Sequence, residues 1–231
     1  VWSVEERDEI CGISYQSGRK AFRTPDGMPI IKNGINSLIK SDLANNESKI
    51  SDYDIKNYLS NTKDDSAKMI LFCIELYRRN IQNVDVDVLE YKFTLEHIMP
   101  KKWETNWSDI PIYDRGVELS INSEEGKEFR NTAIQSIGNK TLLTFSLNSS
   151  IKNAPFHKKV NGEGAKVGYK KHTYLTITQD IVDSFENNPI WNEERIGVRQ
   201  QNLYEEFLVL WPTFSEEIHE TTIESNDDDP N

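Results

Sequence analysis

The chain has 231 residues, 36% of them apolar and 28% charged, with a net charge of −11. That length is enough for one sizeable domain or two small ones with a buried core, and the composition is that of a water-soluble protein. The longest apolar run, Met69 to Ile74, is far short of the ~20 residues that span a bilayer, so no membrane is expected as a partner. Two cysteines, Cys11 and Cys73, exclude a disulfide framework and a cysteine-ligated zinc site, and the four histidines leave little room for a multi-histidine metal centre. Such cysteine usage fits a reducing cytoplasm. No signal segment opens the chain, and Val1 in place of a start methionine suggests a piece of a longer polypeptide.

An acidic total argues against nucleic acid, but the charge is uneven. Residues 1–126 carry 16 Lys/Arg against 22 Asp/Glu, residues 127–172 carry 9 against 2, and residues 173–231 carry 2 against 14. A basic island of +7 therefore sits inside an acidic chain, and sign asymmetry of this kind bears on partners more than the total does.

Taken in chain order, Ile31, Ile35, Leu38, Ile39 and Leu43 give helical spacing over Ile30–Leu43. Ser51 is placed to cap a helix over Asp52–Leu59, and Asp64 or Asp65 to cap one over Ser66–Arg79. The second helix is apolar on nearly all sides at Met69–Ile74, the signature of a central buried helix, with Cys73 as a small core hydrophobe. From Val84 to Thr94 the pattern changes to period two and reads as extended. Trp103 to Leu119 reads as an irregular loop anchored by aromatics. Ser123, with Glu124 and Glu125 behind it, opens a helix to about Gln135, and Gly138 stops the run. Thr141–Phe145 reads as a short strand, Asn148–Val160 as partly helical with a break at Pro155, and Asn161–Gly168 as a mobile glycine loop. Thr178 is placed to cap Asp180–Phe185, and Asn192 to cap a long helix ending at Pro212. The seven acids after Ser215, with no basic residue among them, predict a disordered tail.

Three stretches carry chemistry. In Phe93-Thr94-Leu95-Glu96-His97-Ile98-Met99-Pro100 a strand ends in a carboxylate beside a histidine. Neighbours on a strand point to opposite faces, so joint use of the pair needs a twist at the strand end, where Pro100 breaks the ladder. In Gly138-Asn139-Lys140-Thr141-Leu142-Leu143-Thr144-Phe145-Ser146-Leu147-Asn148 two asparagines flank a short strand. Each offers a carbonyl oxygen to a hard metal or a histidine, and each equally suits a turn. In Asn153-Ala154-Pro155-Phe156-His157-Lys158-Lys159 lysines follow an aromatic.

Together these stretches resemble an HNH endonuclease of the ββα-metal type, and more narrowly the nuclease module at the C-terminus of GmrSD-type modification-dependent restriction enzymes. A similar module occurs in phosphorothioate-sensing SspE proteins. The likeness covers roughly residues 65–212, with Lys68–Leu76 before the motif and Ile196, Arg199, Leu203 and Trp211 after it. It implies an α+β fold: a small ββα site, from about residue 84 to 160, embedded between N- and C-terminal helices. The corresponding divisions are a helical segment at 1–82, a nuclease domain at 83–215 and the acidic tail at 216–231. It implies His97 as general base, Asn139 as the catalytic-loop residue that orients it, and Glu96 and Asn148 as ligands of one Mg²⁺ or Mn²⁺. Lys140 departs from the leucine common at its position, and Lys101 and Lys102 replace a more usual polar residue. Phosphate contacts are expected from Lys140, Lys152, Asn153, Lys158, Lys159, Lys170 and Lys171. The implied activity is cleavage or nicking of duplex DNA in anti-phage defence. The implied partners are DNA, an N-terminal sensor/NTPase domain and, in a dimer, a second copy. No phosphate-cradling glycine loop appears in this chain. The alternative is a module of the same fold that binds DNA or a partner without cutting.

Overall fold

The computed structural model describes residues 52–81, 89, 91–172 and 174–211. The expectations for Cys11, Ile30–Leu43, Ser51, the alternating stretch to residue 88, Pro212 and the tail lie outside them. The described chain is α+β. Its helices are α1 (Asp52–Ser60), α2 (Asp64–Ile81), α3 (Glu124–Gln135), α4 (Phe145–Ile151), α5 (Phe156–Asn161), α6 (Tyr169–His172), α7 (Thr176–Asn187) and α8 (Glu193–Leu210). Its strands form three two-stranded antiparallel pairs: β1 (Thr94–His97) with β4 (Lys140–Leu143), β2 (Ile112–Asp114) with β3 (Val117–Leu119), and β5 (Gly162–Glu163) with β6 (Lys166–Val167). Among the described residues no helix is long and apolar enough to cross a membrane.

The β1–β4 pair is the centre of the molecule. Thr94 lies opposite Leu143, Leu95 opposite Leu142, Glu96 opposite Thr141 and His97 opposite Lys140. All four residues of β4 are buried, so both faces of this strand need cover. Leu142 joins an apolar cluster with Leu71, Phe72, Ile74 and Leu203, built by α2 and α8. Leu143 joins a second cluster with Trp107, Phe156, Trp191 and Ile196 on the other face. Each leucine buried in this way contributes about 1.5–3 kcal/mol. Period two then places His97 with Leu95 toward α2, and Glu96 with Thr94 toward α5 and α6.

Buried polar groups hold this sandwich in register. Arg199 on α8 donates to the carbonyls of Gly138 (2.8 Å), Lys140 (2.7 Å) and Ile177 (3.2 Å), tying the Ile137–Asn139 turn to α7. Burial pulls its guanidinium down to about 10. Gly138 lets that turn lie against α8, because a Cβ there would run into the backbone of Ile196 and Gln200. Arg130 is sealed between Glu193 (2.5 Å) and the carbonyls of Trp107 and Ile110, which pins the Trp103–Ile110 loop. Glu75 on α2 accepts from Arg79, from the Thr176 hydroxyl and from Ile177 N, so it serves the first turn of α7.

Several expected elements differ. Asp64 and Asp65 lie inside the first turn of α2 rather than before it. The strand expected over Thr141–Phe145 ends at Leu143, because Thr144 caps α4 and Phe145 is already helical. The irregular stretch after Trp103 contains the β2–β3 hairpin, whose two turn residues, Arg115 and Gly116, both have positive φ (48° and 81°). The glycine loop at 161–168 is the β5–β6 hairpin, in which Gly162 adopts φ 85°. Thr178 does not cap a helix. It lies within α7, donates to Leu142 O and meets the Thr141 hydroxyl at 2.8 Å. The Ser123 and Asn192 caps are present, each side chain accepting from a backbone N–H three residues on.

Candidate functional site

An open cleft of about 620 Å³ is lined by Thr94, Leu95, Glu96, His97, Pro100, Lys101, Lys102, Phe145, Asn148, Ser149, Lys152 and Asn153. β1 supplies the floor and α4 one wall. Thr144 accepts from Leu147 N as the N-cap of α4, so the helix begins immediately after β4 and carries Asn148 back over β1. There Asn148 Nδ2 donates to Thr94 Oγ1 (3.1 Å) and Leu95 O (2.9 Å). A backbone carbonyl only accepts, so these bonds fix which amide atom faces the strand. Oδ1 is left without a donor among the described residues.

Glu96 is almost fully buried, and its Oε1 receives Lys159 Nζ at 2.5 Å and, more distantly, Tyr169 Oη at 3.5 Å. Lys159 is itself sealed and donates also to His97 O at 2.9 Å. Burial pushes the Glu96 carboxyl up and the Lys159 ammonium down, while the attraction between them opposes both shifts. At this separation the two groups share a short hydrogen bond. Burial and the Glu96 charge raise the Tyr169 phenol well above its ordinary value, so it stays a donor. No described residue donates to Glu96 Oε2.

His97 faces the other way. Its Nε2 is enclosed, lies 3.5 Å from Asp64 Oδ1 and has no hydrogen-bond partner. Burial is the main cause that lowers its pKa to about 4; Lys101, Lys140 and Lys159 add to the effect and Asp64 opposes it. The ring is therefore neutral at neutral pH, which a base requires. Asp64 also meets Lys140 Nζ at 3.2 Å and Lys101 Nζ at 3.0 Å. Burial works against its charge, but Lys101, His97 and Lys140 together hold its carboxyl below the ordinary value.

Asn139 does not line the cleft. It is fully buried, with Oδ1 accepting from Met99 N (2.9 Å) and Trp191 Nε1 (3.1 Å), and Nδ2 donating to Met99 O (2.8 Å) and Ile134 O (3.2 Å). It clamps the turn that follows His97, whose next residue also bonds backbone to backbone with Asn139 (2.9 Å).

Two of the expected phosphate contacts are corrected by burial. Lys140 is enclosed and donates to Thr62 O and Asp64, and Lys159 is the internal partner of Glu96, so neither ammonium is presented to solvent. A lysine in a strand buried on both faces has no route to water and takes an internal acceptor instead. Lys152 and Asn153 do line the cleft, joined by Lys101 and Lys102. Lys158 pairs with Glu163 (2.7 Å), Lys170 with Glu186, and Lys171 is exposed on α6; all three lie off the cleft. Sequence reasoning missed the place of Asp64 beside His97, since it reads there as a helix cap, and had no signal for Tyr169.

Among the described residues no cluster of three His, Cys, Asp or Glu is placed to hold a metal. Glu96 and Asn148 nonetheless line one cleft, and neither Glu96 Oε2 nor Asn148 Oδ1 has a donor among the described residues. Two oxygen donors of this kind fit a hard divalent cation that keeps most of its coordination for water and phosphate.

Fold and site thus define an α+β domain whose basic cleft gathers a neutral histidine, an ion-paired carboxylate and a free amide oxygen. Residues 43–206 match the family described as GmrSD restriction endonucleases, C-terminal domain. The chain belongs to that family, which is the C-terminal nuclease domain of GmrSD restriction enzymes. No curated protein and no solved structure matches it.

Proposed function

We propose that this domain is an HNH-type endonuclease of the ββα-metal class that hydrolyses phosphodiester bonds in duplex DNA. The observation that carries the reading is that Glu96, His97 and Asn148 line one cleft with three lysines, although Glu96 and His97 leave the strand on opposite faces. Neutral His97 takes a proton from the attacking water. Glu96 Oε2 and Asn148 Oδ1 would hold one Mg²⁺ or Mn²⁺. When bound, such an ion supplies Lewis-acid stabilisation of the charge that develops on the phosphate and the leaving oxygen. Lys101, Lys102 and Lys152 neutralise flanking phosphates. Asn139 keeps the turn after His97 in place. In a whole restriction protein, target choice would fall to a sensor/NTPase region, with this domain as the cutting part in the cytoplasm.

A supercoiled-plasmid assay with Mg²⁺, Mn²⁺ or EDTA tests this. Relaxed or linear product that needs metal and disappears in His97→Ala and Asn148→Ala is expected. Metal-independent product, or equal product from wild type and His97→Ala, would refute it. Duplex binding without cutting by any form would favour the non-cleaving module.

A further inference from the structure

We propose that Asp64 is a positioning residue for His97, fixing the ring proton on Nε2 so that the Nδ1 lone pair addresses the cleft. The proposal deepens the nuclease reading above and rests on it for the role of His97.

Nε2 is enclosed and unbonded, and a buried ring nitrogen in that state is costly unless a partner is within reach. Asp64 Oδ1, at 3.5 Å, is a few tenths of an ångström beyond an ordinary N–H···O bond. An ionised carboxylate only accepts, so the nitrogen that faces it must be the one that carries hydrogen. The lone pair is then left on Nδ1. Because Nε2 is shut away while His97 lines the cleft, Nδ1 is the nitrogen available to a water there.

Asp64 is itself held in place. Lys140, the partner of His97 across the strands, reaches from β4 to both Thr62 O and Asp64 Oδ1. Lys101, just beyond Pro100, grips Oδ2 at 3.0 Å. The Thr62 hydroxyl donates to Tyr58 O at the end of α1, which anchors the short link into α2. Two ammonium groups around one carboxylate leave this pocket with excess positive charge. The carboxylate therefore directs the ring without drawing a second proton onto it. A hydroxyl or amide acceptor would meet the lysines less well.

The test uses the full chain with ¹⁵N-labelled imidazoles. A long-range ¹H–¹⁵N spectrum at pH 7.5 reads the tautomer of each of the four histidines, and His97→Ala identifies the His97 signals. Wild type is expected to show His97 as Nε2–H. Asp64→Ala is expected to shift it toward a mixture and to lower kcat on plasmid about tenfold or more at unchanged KM. Asp64→Glu should restore part of both. Asp65→Ala, which removes charge from the same helical turn without a contact to His97, should leave tautomer and rate as they are. An Nδ1–H tautomer in wild type overturns the proposal with no variant needed, and so does a tautomer indifferent to Asp64→Ala in a folded protein. A wild type that shows Nε2–H but never cuts would refute the nuclease reading and support the Asp64 assignment. Loss of cutting in His97→Ala with full activity in Asp64→Ala would do the reverse.

Discussion

Lys159 Nζ lies 2.5 Å from Glu96 Oε1, with the lysine sealed from water and the carboxylate nearly so. A lysine expected on the surface is the internal counter-charge of the carboxylate at the heart of the cleft. One Glu96 oxygen is committed to it, and the other has no donor among the described residues.

The cost of breaking that pair is the first prediction. Lys159→Met strands an uncompensated buried carboxylate and is expected to destabilise the domain by about 3–5 kcal/mol. Lys158→Met, one position away and on the surface, should be close to neutral. Urea unfolding of both variants measures the difference, and equal midpoints would contradict the buried pairing.

A second prediction concerns pH. His97 protonates at about 4 in the folded chain and near ~6.5 when unfolded. The unfolded state therefore binds the proton more readily, so stability rises with pH across this window. Its contribution is complete above ~6.5 and is lost as pH falls through 4, amounting to about 3 kcal/mol. His97→Gln should flatten this part of the metal-free stability profile. A histidine signal that titrates at its ordinary value would count against the burial described.

Asn139 gives a third. Asn139→Ala removes the acceptor of Trp191 Nε1 and Met99 N and the donor to Met99 O and Ile134 O. A loss of about 2–3 kcal/mol is expected, since several buried groups go unpaired. Cutting should fall further than duplex affinity, because the turn behind His97 loosens while the lysines stay. A thermal melt and a filter-binding assay separate the two effects.

The fourth concerns salt. Lys101, Lys102 and Lys152 line the cleft, so replacing all three with alanine should reduce the slope of log affinity against log salt by about 2 to 3. Replacing Lys140 should leave the slope unchanged, because that ammonium is inside the protein.

Local chemistry made part of this legible in the sequence. Ser123 and Asn192 announce their helices because a capping side chain acts on a backbone group three residues away. The strand ending in Glu96-His97 and the two asparagines around β4 are likewise short-range patterns. The fates of Lys140, Lys159 and Asp64 are not of this kind. Whether a charged side chain is buried depends on which partner the fold brings up, and Glu96 is 63 residues from Lys159 in the chain. The β2–β3 hairpin was hidden for a different reason: Arg115 occupies a left-handed position usually signalled by asparagine or glycine.

Arg199 and Trp191 have a consequence for how this protein is made. A ribosome delivers Glu96, His97, Asn139 and Asn148 well before the groups that hold them. Until Trp191 caps Asn139 and Arg199 gathers the carbonyls around β4, the turn and strand lack the polar contacts that fix them. The geometry of the β1–β4 pair thus depends on residues that leave the ribosome late, and the cleft is complete only when α8 has packed against the Ile137–Asn139 turn.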